Sequence, residues 1–150
     1  MWDTYFSKGI DGRLNELAEY QCKDIDSYIG IGYAWNFPDA NSLSDEYIVG
    51  KYFTADTIMP DEWANNGLVS RNIPASIIAK TQIKGSNFDN ILNNAYILIN
   101  DMTRKNGYRL DHTHFYWSEV YTWERFCKPM ENSASEIILD WYMPCVKEDA

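Results

Sequence analysis

Apolar and polar positions alternate most cleanly over residues 28–37. There Ile29, Ile31, Tyr33, Trp35 and Phe37 take one face of a strand, and Gly30, Gly32, Ala34 and Asn36 take the other. A second strand is predicted over 46–55, with Gly50 as a bulge or close approach, and the two form an antiparallel hairpin with a long loop. Residues 59–67 read as irregular chain or a short helical turn, closer to a surface lid than to a core element. One or two strands follow over 68–85, with Pro74 near an edge or a strand start. Phe88, Ile91, Leu92, Ala95, Leu98, Ile99 and Met102 recur at three- and four-residue spacing, which predicts a helix over 87–105 with Ser86 as N-cap and Gly107 as C-cap. Residues 108–114 read as a loop, 115–126 as a strand, 127–135 as a polar connection and 136–146 as a final strand.

Ahead of all this, Trp2, Tyr5 and Phe6 form a helical stripe broken by Gly9 and Gly12. The predicted order is helix, strand, strand, strand, helix, strand, strand. Its second half is strand–helix–strand–strand. The first half matches if a strand once preceded Trp2, so a leading strand lost by truncation or divergence is expected. The fold expected is one α+β domain over 1–150, built from two such halves.

Composition narrows the function. Six Trp and eleven Tyr raise aromatics to 15%, and such rings are favoured where something binds as well as in a core. The formal net charge is −9, from 13 basic and 22 acidic residues, which argues against phosphate contact and so against direct nucleic-acid binding. Three cysteines without a C-x-x-C spacing suit a reducing cytoplasm better than a disulfide framework. No long apolar run suggests a membrane span or signal peptide.

The candidate chemistry is sparse. Asp111-His112-Thr113-His114 is a weak metal signal, more simply read as a solvated loop. No hydrolase, metalloprotease or phosphate-loop motif is present, and no cofactor or metal is expected. The conspicuous residue is Glu124, set between Trp123 and Phe126 in FYWSEVYTWERF. In a strand, Glu124 and Trp123 lie on opposite faces. A carboxylate facing the aromatic side of strand 28–37 would receive a lipophilic cation, each ring adding about 0.5–2 kcal/mol. The alternative is a strand-edge Glu124 paired with a nearby Lys or Arg, such as Lys80 or Arg125.

Several short motifs occur in order: Ile73-Pro74-Ala75-Ser76, Gly107-Tyr108, Trp123-Glu124-Arg125-Phe126 and Tyr142-Met143-Pro144, with YIVG at 47–50 and WDTYFSKG at 2–9 upstream. This series resembles the GyrI-like effector-binding domains, the ligand-sensing half of many AraC-type and some MerR-type regulators. The resemblance implies two strand–helix–strand–strand halves related by a pseudo-two-fold with a central ligand cleft between them, and it implies that Glu124 lies in that cleft as the anchor for cationic, often aromatic ligands. The chain departs from that pattern at Ser76, at Phe126 in place of Tyr, in a lengthened 108–123 segment, and in lacking a helix-turn-helix domain.

The function expected is therefore an effector-binding domain for hydrophobic organic cations, linked to transcription regulation, drug sensing or sequestration. Glu124 is the anchor, Tyr33, Trp35, Tyr52 and Phe126 are the aromatic walls, and Trp117 is a rim. A homodimer or fusion to a DNA-binding domain is compatible with it. Two alternatives stand beside it: a hydrolase of strained-ring or electrophilic small molecules using the cleft glutamate, and a protein-interaction domain with an outer aromatic patch.

Overall fold

The computed structural model describes residues 2–23, 30–35, 46–113 and 116–148, with the backbone alone for 30–35 and Glu46. Strand and helix periodicity meet between Ile77 and Lys105, where β3 (Ile77–Gly85) turns into α4 (Phe88–Lys105). The spacing predicts Ser86 as the helix cap; the structure uses Asn87, whose side chain accepts the Asn90 backbone N–H at 2.9 Å. Gly107 closes the helix in the left-handed region, with φ of 78°. Ile91, Ala95 and Ile99 are buried on one line of the helix and pack against Ile83, Leu139 and Met143. The strand-to-helix turn is tight: a Cβ on Gly85 would stand 2.7 Å from Ile91 Cγ1 and 3.1 Å from the Asn87 carbonyl oxygen.

The other strands are β1 (Gly30–Trp35), β2 (Glu46–Gly50), β4 (Tyr108–Leu110), β5 (Tyr116–Tyr121) and β6 (Ile137–Lys147). They form one sheet of order β2-β1-β5-β6-β3, with β4 also paired to β6, and every pairing is antiparallel. With helices packed on such a sheet, the class is α+β. Strand alternation divides the sheet into two faces. Trp117, Glu119 and Tyr121 of β5 lie on the α4 side with Leu139, Trp141 and Met143 of β6. Tyr116, Ser118 and Val120 lie on the far face with Tyr142, Tyr52 and Ile78.

Residues 108–110, read from sequence as loop, are a strand, and β4 and β5 lie along the same edge of β6. Leu110 stands opposite Cys145 and Ser118 opposite Tyr142, so eight steps along one chain match three along the other. The chain leaves the sheet between them and returns. Pro144 sits at that gap. Its carbonyl accepts the Asp111 N–H at 2.9 Å, so its missing N–H falls on the side where the neighbouring strand departs. That explains a proline inside a central strand.

Three further expectations change. The strand over 46–55 ends at Gly50, and Phe53 forms an isolated bridge to Gln21. The stretch 68–85 is extended into a strand only from Ile77. The segment read as a lid contains α3 (Asp61–Asn65), and its Trp63, 4% exposed, anchors a separate core with Tyr5 of α1 (Trp2–Ser7) and Leu14 of α2 (Ile10–Asn15). A buried indole of this size contributes several kcal/mol, so the segment is structural.

The largest correction concerns residues 115–126. The strand stops at Tyr121. Trp123–Cys127 is a wide helical turn, with the Phe126 and Cys127 N–H groups both reaching the Thr122 carbonyl at 3.1 and 3.2 Å. It continues into α5 (Lys128–Glu131), with Pro129 in its first turn. Among the described residues no helix is long and apolar enough to cross a membrane.

Candidate functional site

Glu124 lies on the outside of this turn. Its side chain is 70% exposed, and Lys128, one helical turn on, donates to its Oε2 at 3.1 Å. Helical rather than strand geometry produces that pairing. It is a surface ion pair with a nearby lysine, as the alternative reading expected, though on a helical turn and with Lys128 in place of Lys80 or Arg125. Tyr33 and Trp35 stand opposite Ser118 and Tyr116 in the backbone register, and their side chains lie outside what the structure describes. Tyr52 lies on the far face, its hydroxyl sharing a short hydrogen bond with Ser118 Oγ. Trp117 and Phe126 belong to the α4 face, Phe126 buried in the main core and Trp117 stacked on Trp141 with centroids 6.2 Å apart. The four with described side chains, Glu124, Tyr52, Phe126 and Trp117, do not converge on one cleft.

The buried carboxylate of the aromatic run is Glu119, five residues earlier. It is 5% exposed, in the middle of β5. The Tyr47 hydroxyl donates to its Oε2 at 2.5 Å and the Tyr121 hydroxyl donates to the same oxygen at 2.7 Å. Tyr47 comes from β2, two strands away. It can reach across because the intervening strand carries Gly32 opposite Glu119 and Ala34 opposite Trp117. Trp2 of α1 stands edge-on to Tyr121, centroids 5.0 Å apart. On the other flank, Trp141 lies directly opposite Glu119 on β6.

Electrostatics follow from burial. Desolvation first, then the neighbouring Glu119 carboxylate, push the Tyr47 and Tyr121 hydroxyls far above the ordinary tyrosine range. Both therefore remain neutral donors at physiological pH. No cation among the described residues is paired with Glu119. Two other carboxylates in protected positions differ. Asp140, 4% exposed, takes a two-pronged contact from Arg125 at 3.1 and 2.7 Å. Asp11 is closed by Lys51 at 2.9 Å and tied to the Tyr5 hydroxyl at 3.1 Å.

The remaining chemistry is inert. Cys22, Cys127 and Cys145 carry free thiols. Burial pushes those of Cys127 and Cys145 up, away from thiolate character. No group of three or more His, Cys, Asp or Glu among the described residues could hold a metal. Asp111 accepts the Thr113 N–H at 2.9 Å in a local turn, and His114 lies outside the described residues.

Sequence reading overlooked Glu119, Tyr47 and Tyr121. The signal was present: within WSEVY, Trp117, Glu119 and Tyr121 recur at period two, the spacing of one strand face. No protein-family model matches the chain, and no curated protein and no solved structure matches it.

Proposed function

We propose that this chain is a small-molecule binding domain for hydrophobic organic cations, with Glu119 as the anionic anchor. One observation carries the reading: a buried carboxylate on a central strand whose hydrogen-bond donors, among the described residues, are two neutral hydroxyls. Burying a charge without a counter-charge costs several kcal/mol, and two hydroxyl bonds offset part of that. An arriving cation supplies the missing charge. Trp2, Tyr47, Trp117 and Tyr121 offer ring surface beside it, each ring adding about 0.5–2 kcal/mol.

The strand order supports the duplicated fold as part of the same proposal. A pseudo-two-fold between β1 and β5 relates β2 to β6. It also relates the Gln21–Phe53 bridge to the β4–β6 pairing, since each is a short contact ahead of a strand that the chain reaches after an excursion. The symmetry mate of β3 would be a strand on the outer side of β2. Such a domain suits an effector-sensing or sequestering role of the GyrI-like kind, and three free thiols suit a reducing cytoplasm.

The test is calorimetric titration with 1-naphthylmethylammonium. Glu119→Gln is expected to weaken binding about tenfold or more with the circular dichroism spectrum retained. Glu124→Gln is expected to leave affinity within about twofold, as for a surface ion pair. Equal affinity for wild type and folded Glu119→Gln would sink the anchor.

A further inference from the structure

The two oxygens of Glu119 are not equivalent. Both tyrosine hydroxyls converge on Oε2, at 2.5 and 2.7 Å. Oε1 receives no hydrogen bond from a described residue, while the side chain is held in place from Tyr47 on one flank and Tyr121 on its own strand. A carboxylate oxygen accepts about two hydrogen bonds, so among the described residues Oε2 is filled and Oε1 is the open acceptor.

We infer that the ligand is a cation carrying at least one N–H, a protonated amine or amidinium, rather than a quaternary ammonium or phosphonium ion. This rests on the reading of Glu119 as the anchor and adds the donor that the anchor requires. An N–H donated to Oε1 forms a charge-assisted bond of about 2.7–2.9 Å, roughly twice as strong as a neutral one. A quaternary centre has no donor, and its alkyl groups hold the charge farther from the oxygen, where Coulomb attraction is weaker. It would leave Oε1 buried against carbon, and an unsatisfied buried acceptor is costly. A site selecting by charge and ring surface alone would not make this distinction.

Stepwise methylation separates the two cases. Calorimetric titration of the wild-type protein with 1-naphthylmethylammonium and its N-methyl, N,N-dimethyl and N,N,N-trimethyl relatives adds one methyl at a time at constant charge. Affinity is expected to stay within about threefold through the dimethyl compound, which still has one N–H, and to fall about tenfold at the trimethyl compound. Glu119→Gln should remove that final step. Equal binding across the series, or an even decline with each methyl, overturns the inference. If Glu119→Gln then weakens all four compounds alike, the anchor stands without donor selection. Failure of all four to bind wild type overturns both readings. The comparison within wild type needs no variant to fold.

Discussion

Raising the pH is expected to unfold this domain cooperatively, with the buried tyrosines setting the point at which it happens. Of the eleven tyrosines, Tyr5, Tyr47, Tyr52, Tyr116 and Tyr121 have hydroxyl pKa values raised chiefly by burial. Tyr116 is pushed from 10.0 to about 12, and the other four rise further. A tyrosine whose folded pKa exceeds its unfolded value holds its proton more tightly in the native state. Its contribution is fully present below about pH 10 and is lost as pH climbs toward the folded value. For Tyr116 the two units amount to roughly 3 kcal/mol. Between about pH 10 and 12 each of the five lowers stability by about 1.4 kcal/mol per pH unit, together about 7. A domain of ordinary stability, about 5–15 kcal/mol, is exhausted within roughly one to two pH units. Far-UV circular dichroism and tyrosinate absorbance, followed through one alkaline titration, should show a shared steep transition near pH 11–12. Smooth ionisation of all tyrosines about pH 10, with the dichroism unchanged, would refute the burial argument.

Two further predictions concern packing and charge. Gly85→Ala forces its Cβ against Ile91 and the Asn87 carbonyl and should cost about 1–3 kcal/mol in urea unfolding. A change within experimental error would mean the turn yields freely. Arg125→Met leaves Asp140 buried without its partner and should destabilise by about 3 kcal/mol. Urea unfolding of wild type and variant checks it, and an unchanged midpoint would mean the pair contributes nothing.

What was legible in the sequence followed periodicity. The α4 stripe and the β1 and β6 alternations carry their own signal over many residues, and the structure places those elements within one or two residues of expectation, β1 by its backbone. The aromatic run was harder because its two halves obey different periods. Trp117, Glu119 and Tyr121 follow the strand, whereas Glu124 and Lys128 follow the helix. Treating the run as one strand put Glu124, which is exposed, in view and hid Glu119, which is buried. Pro129 and the four-residue spacing of Glu124 and Lys128 were the local marks of the change. Tyr47 was out of reach of local reasoning, since its contact with Glu119 spans 72 positions and depends on a register that sets Ala34 opposite Tyr47 and Gly32 opposite Glu119.

The gap between β4 and β5 has a use beyond explaining Pro144. Sheet strands are normally poor hosts for extra sequence, because one added residue inverts every side chain that follows. Here the chain already leaves the sheet after Leu110 and rejoins it at Tyr116, with pairing to β6 on either side of the detour. Lengthening that detour should leave both registers unchanged at the modest entropy of a larger loop, about 0.6 kcal/mol per doubling. The middle of the sheet thus offers a graft point, where a peptide tag or sensor segment could be carried within a few residues of Glu119.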